Sequence, residues 1–157
     1  MNIKLLAIGK TDNKALQTLI DDYQKRLSFY IKFDLEVIPD IKNVKNLSEA
    51  QQKEKEGELI LSKLSPTDQL ILLDENGRSF SSVGFSEELQ KKMNSGIKTL
   101  VFVIGGPYGF SQTVYNKAQG KISLSAMTFS HQMVRLFVVE QIYRAFTILR
   151  NEPYHHQ

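Results

Sequence analysis

The 157-residue chain contains no cysteine, so it has no disulfide framework, no thiolate nucleophile and no thiolate-bound zinc, and a reducing compartment, the cytoplasm, suits it. Long apolar runs are missing too. Ile3 with residues 5–8 forms a short cluster that stops at Gly9-Lys10, and residues 100–104 make a run no longer than that; neither can form a signal peptide or a membrane span. Excess charge of one sign is slight: 20 basic side chains against 17 acidic ones leave a formal +3. That permits contact with a polyanion such as RNA without identifying one. Of only three histidines, two are neighbours in the tail, and no carboxylates are spaced to join them, so no metal site is expected. No Ser/His/Asp order and no paired-carboxylate spacing points to a hydrolase.

What is present is an ordinary globular composition, 41% hydrophobic and 24% charged. At about 150 residues per domain the length predicts a single domain over residues 1–157. Such a chain can bury about two thirds of its unfolded surface.

Residues 3–8 read as a strand, and Leu16, Leu19, Ile20, Tyr23 and Leu27 follow at helical spacing. Phe33, Leu35 and Val37 alternate with polar residues as in a half-buried strand before Pro39. Ser48 with Gln51 makes a capping box for a helix carrying Leu59, Ile60 and Leu64, and its Lys53-Glu54-Lys55-Glu56 stretch reads as a solvated face. A strand over 70–73 ends in Asp74, a turn is expected around Asn76-Gly77, and Phe85, Leu89 and Met93 mark the next helix. Residues 100–104 form a strand that breaks at Gly105-Gly106-Pro107-Tyr108-Gly109; a short helix at Val114 and Ala118, a last strand over 121–124 and a long helix from His131 to about Arg150 complete the chain. Strands alternating with helices, several continuously apolar, predict an α/β fold with a mostly parallel sheet flanked by helices. Ligands in such sheets bind at the carboxyl ends of strands, which singles out the loops after Leu73, Ile104 and Leu124.

The 105–109 loop reads either as a tight turn or as backbone that a ligand approaches closely. It is not a phosphate-binding P-loop, because the Lys-Ser/Thr pair is missing, and a lone Gly9 after the first strand disfavours a dinucleotide site. Ser123 to Phe129 is rich in small and hydroxylated residues; Thr128 or Ser130 can cap the last helix, and the same segment can offer backbone groups to an adenine edge. The last helix is apolar all round, so its second face needs a cover: another subunit is the simplest one, a central core position the alternative. His131 and Arg135 share a face of it, while Arg144 lies about half a rotation away. In the tail, Tyr154, His155 and His156 read as frayed surface or as a stacking aromatic beside an imidazole for an unpaired base.

Taken together, Leu72-Leu73-Asp74, Val103-Ile104-Gly105-Gly106-Pro107-Tyr108-Gly109, Leu124-Ser125-Ala126-Met127-Thr128-Phe129, His131-Gln132-Met133-Val134-Arg135, Glu140-Gln141-Ile142-Tyr143-Arg144-Ala145 and Pro153-Tyr154-His155 resemble the ribosomal RNA large subunit methyltransferase H family over the full chain. The resemblance implies a SPOUT-class fold with a C-terminal trefoil knot, which sequence rules would not propose. It also implies a homodimer that uses S-adenosylmethionine to methylate N3 of a pseudouridine in helix 69 of 23S rRNA, on the assembled 70S ribosome. By motif, Leu73, Gly105, Leu124, Ser125, Ala126, Met127, Thr128 and Phe129 would line the cofactor site, and His131, Arg135, Arg144, Tyr154 and His155 would form the RNA side. Tyr108 stands at a loop position often polar in the family, and His156 where a Lys or Arg commonly follows Tyr-His. The competing expectations are a SPOUT enzyme with another RNA target and a non-enzymatic ribosome-binding module of the same fold.

Overall fold

The computed structural model describes residues 1–156. The elements are β1 (Asn2–Ile8), α1 (Lys14–Leu27), β2 (Phe33–Ile38), α2 (Glu49–Ser62), β3 (Gln69–Ser79), α3 (Ser82–Asn94), β4 (Thr99–Ile104), α4 (Gln112–Lys117), β5 (Gly120–Ser123) and α5 (Met133–Leu149), with a single 3₁₀ turn at Val44–Asn46. All four strand pairings are parallel, in the order β2-β1-β4-β3-β5.

Side chains alternate across the sheet and divide the core in two. Ile3, Leu5, Leu100 and Phe102 face one side, where Val138, Val139, Ile142 and Phe146 of α5 and Leu89 of α3 cover them. Leu6, Leu70, Leu72, Val101 and Val103 face the other, beneath Ile60 of α2 and Val114 of α4. Burial on both faces explains the continuously apolar strands, each such Leu or Ile contributing about 1.5–3 kcal/mol. Short polar side chains start the helices. Asn13, Ser81 and Ser111 accept the amide N–H three residues on, and Ser48 and Gln51 close the expected capping box.

Three expectations change. Asn76-Gly77 is no turn: β3 runs through it to Ser79, with a bulge between Leu73 and Arg78 where the register against β5 shifts. A Cβ on Gly77 would lie 2.6 Å from the Ile122 backbone, so glycine marks the close approach of two strands. Most of the cover of α5 is found within the chain, as the core alternative has it. The helix packs on the sheet and against both α1 and α3, leaving Met133 and Phe137 exposed near its start. It begins at Met133 rather than His131, with Gln132 at its N-cap making no side-chain cap bond; of the two expected residues it is Ser130, two positions earlier, whose hydroxyl accepts the Met133 N–H at 3.1 Å. Among the described residues no helix is long and apolar enough to cross a membrane.

Candidate functional site

Parallel strands place all their carboxyl ends on one edge of the sheet, and there the loops after β3, β4 and β5 enclose a cavity of about 500 Å³. Of the eight residues expected at the cofactor, Leu73, Gly105, Leu124, Ser125, Met127, Thr128 and Phe129 line this cavity and Ala126 does not. The 123–127 segment is shaped by its serines: Ser123 donates to the Ser125 carbonyl at 3.0 Å, and the Ser125 hydroxyl accepts the Met127 N–H at 3.0 Å. Glycines form the opposite wall because neighbours crowd it from behind. A Cβ on Gly105 would lie 3.1 Å from the Phe110 ring, and one on Gly106 would collide with the carboxylate of Glu56. Glu56 departs from the solvated face expected of residues 53–56: it is only 3% exposed, turned toward the 105–109 loop, and its Oε1 has no partner among the described residues. Burial, with Asp40 nearby, raises its pKa.

The bulge in β3 adds Asp74, Glu75 and Asn76 to the rim, none of them singled out as a site residue by the sequence. Asp74 accepts the Tyr115 hydroxyl and the Asn76 N–H. Burial alone would raise the Asp74 pKa, but these two bonds and the charge of Lys121 hold it below the ordinary value. Tyr115, also on the cavity wall, is pushed up to about 12 by burial and by Asp74.

The expected RNA-side residues fall in three places. His131 is exposed at the cavity, two residues ahead of α5. Arg135 is 1% exposed, and its guanidinium donates to the Ile8 carbonyl at 2.9 Å, the Thr11 hydroxyl at 3.1 Å and the His131 carbonyl at 3.0 Å. It thus ties the start of α5 to the end of β1 and touches no solvent. Gln132 adds two bonds to the same loop, accepting from Asp12 N–H and donating to the Lys10 carbonyl.

Arg144, Tyr154 and His155 meet beside the second half of α5. The helix stops in a Schellman motif: Asn151 takes a left-handed φ of 54°, its N–H donates to the Ile148 carbonyl, and the Glu152 N–H donates to the Thr147 carbonyl. Pro153 then forbids further helix, so the tail turns back. Tyr30 of the loop after α1 donates to the Glu152 carboxylate, and its pKa rises to about 12 through that bond and burial. Tyr154 packs edge-on against Tyr143, 4.8 Å between centroids, with the Arg144 guanidinium 4.7 Å from its ring centre. Arg144 donates to Glu140 at 2.5 Å and to His155 Nδ1 at 3.2 Å. Burial opposes the Arg144 charge, but the bond to Glu140, the charge of that carboxylate and the neighbouring Tyr154 and Tyr23 together outweigh it and raise the pKa. A guanidinium has no lone pair to offer, so His155 Nδ1 is the acceptor and the imidazole proton sits on Nε2.

The sequence reading passed over Glu140, Glu152, Tyr23 and Tyr30, which hold this cluster, and Asp74, Glu75 and Tyr115, which edge the cavity. Glu140 carried a usable signal, four residues before Arg144 on the same helix face. At 1.5 Å per residue, Val134 at the cavity and Glu140 in the tail cluster stand roughly 9 Å apart along α5, and none of Glu140, Arg144, Tyr154 and His155 lines the cavity. Among the described residues no group of three His, Asp or Glu side chains is arranged to hold a metal ion.

The family model described as predicted SPOUT methyltransferase matches residues 1–155. Curated relatives called ribosomal RNA large subunit methyltransferase H are 88% identical in Flavobacterium johnsoniae, 85% in Flavobacterium psychrophilum and 65% in Parabacteroides distasonis, each over 157 residues that cover the whole of both chains.

Proposed function

Because the chain belongs to the SPOUT methyltransferase family, we propose that it is an rRNA methyltransferase that uses S-adenosylmethionine to methylate N3 of a pseudouridine in helix 69 of 23S rRNA, on the assembled 70S ribosome in the cytoplasm. The observation that carries this reading is the cavity at the carboxyl ends of β3, β4 and β5, lined by seven of the eight residues expected to hold the cofactor. Its lining suits that group. Leu73, Ile104, Leu124 and Phe129 offer apolar surface to a purine, and the 105–109 backbone offers polar groups to its edge. Asp74 and Glu75 put negative charge beside a ligand that carries a positive sulfur and an amine. When bound, S-adenosylmethionine supplies a methyl carbon already activated by its sulfonium.

The protein must then align the acceptor nitrogen and move its proton. His131, at the cavity, handles that proton, or else His155, in the tail, once its Nδ1 lets go of the Arg144 N–H that it accepts. Arg144, kept charged by Glu140, favours the developing imide anion or binds a phosphate, and Tyr154 stacks on or hydrogen-bonds the base. Arg135 contributes by holding His131 and the end of β1 in place.

Two copies form the working unit, the tail of one completing the cavity of the other. That none of Glu140, Arg144, Tyr154 and His155 lines the cavity supports this, as does an exposed apolar patch: Met127 is 78% exposed, Met133 51% and Phe137 38%. The reading also includes a trefoil knot in the C-terminal part, supported by the 124–129 segment crossing the strand ends before Gln132 and Arg135 tie back to the loop after β1. The test is transfer of tritiated methyl to 70S ribosomes lacking the modification, with the label mapped. Label on the helix 69 pseudouridine is expected. Label elsewhere would move the enzyme to another RNA, and no label together with no cofactor binding in calorimetry would reduce it to a binding module.

A further inference from the structure

We infer that Tyr23, on α1 and far from every motif of the cofactor cavity, is a positioning residue for the reaction: its hydroxyl bond to Tyr154 sets the orientation of the C-terminal cluster. The inference rests on the reading that this cluster is the RNA side of the site.

The geometry is a chain of hydrogen bonds with one possible direction. Tyr23 Oη lies 3.0 Å from Tyr154 Oη, and Tyr154 donates to Glu140 Oε1 at 2.8 Å. A phenol has one proton, and Tyr154 gives its own to the carboxylate; Tyr23 must therefore be the donor to Tyr154. The same Glu140 oxygen receives Arg144, which in turn donates to His155. Tyr154 is thus fixed by two bonds at one atom, and removing the Tyr23 hydroxyl leaves it held by Glu140 alone. Burial first, and then the bonds to Tyr23 and Glu140, push the Tyr154 pKa well above its ordinary value, so it keeps its proton and the direction of the chain.

Tyr23 is itself held rigidly. Its ring meets Tyr143 edge-on at 5.8 Å, and the Arg26 guanidinium sits 5.1 Å from its centre. Tyr23→Phe keeps both contacts and deletes only the hydroxyl. Docking on a ribosome draws on a wide surface, whereas the angle of Tyr154 matters once the base is in place. The loss is therefore expected in kcat, with KM for ribosomes little changed.

The test is a double-mutant cycle of Tyr23→Phe and Tyr154→Phe in the full-length protein, read by methyl transfer at saturating ribosomes, with calorimetry of S-adenosylmethionine and thermal melting alongside. One neutral hydrogen bond corresponds to roughly a three- to tenfold fall in kcat for Tyr23→Phe. Cofactor affinity should stay unchanged, and adding Tyr23→Phe to Tyr154→Phe should cost less than about a further twofold. If Tyr154→Phe is impaired while Tyr23→Phe turns over normally, or if the two losses multiply, the positioning role is wrong. A parallel drop in cofactor affinity would likewise overturn it, because it would report a general disturbance of the fold. Wild-type turnover in Tyr154→Phe would also overturn the positioning role, and wild-type turnover in Tyr154→Ala, which removes the ring as well, would instead remove the reading of the tail on which the inference stands.

Discussion

Gly106 owes its identity to what lies behind it. The buried Glu56 carboxylate occupies the space that a side chain would need, and Glu56 sits on α2, fifty positions earlier. Gly106→Ala should therefore push the 105–109 loop into the cavity and weaken S-adenosylmethionine binding at least about tenfold by calorimetry, since a shift of 1.4 kcal/mol suffices. An affinity within about twofold of wild type would show that the loop does not form the binding wall. Arg135 and Arg144 make the complementary point. As letters in the sequence they are equal candidates for an RNA contact. The structure gives one two backbone carbonyls, a hydroxyl and a position inside the core, and the other a carboxylate, a tyrosine ring and a histidine beside the tail. Burial separates their roles, and burial depends on residues more than a hundred positions distant, such as Ile8 and Thr11 for Arg135.

Among elements, the strands and helices were readable because each is buried in a regular rhythm: continuously apolar strands with helices on both faces, and short polar caps at helix starts. The bulge in β3 was not. Asn-Gly marks a turn and a close backbone approach equally well, and only the position of β5 against Gly77 decides between them. That bulge carries a pH signature. Asp74 has a depressed folded pKa, so its stabilising contribution is complete above the ordinary carboxylate value and is lost as pH falls through the folded one. Tyr115 is raised to about 12, so its contribution is complete below about 10 and disappears as pH rises through about 12. Tyr115→Phe should flatten the melting temperature on both flanks. If the mutant and wild-type curves run parallel from neutral pH into alkali, the bond does not carry this linkage. The all-round apolar α5 was legible as buried, but its neighbours were not: three of its sides are taken by the sheet, α1 and α3, which leaves the patch around Met133 and Phe137 as the part still uncovered.

At the scale of the molecule, α5 carries two groups of residues, the cavity at its start and the tail cluster beside its middle and second half. His131 belongs to the first, and Arg144, Tyr154 and His155 to the second. Both groups were visible as motifs, yet their separation was not, because it depends on the Schellman turn at Asn151 that folds the tail back along its own helix. The central claim is that two copies join these groups across their interface. Mixed dimers test it most directly: one protomer carries Gly106→Ala and an intact tail, and the other has an intact cavity but ends before Tyr154. Assayed with S-adenosylmethionine well below the Kd of the Gly106→Ala cavity, neither protomer then holds a working site of its own. A shared site predicts methyl transfer at up to about half the wild-type rate, since one of two cavities still faces an intact tail. Mixed dimers as inactive as either parent would contradict the account and return the whole reaction to a single chain.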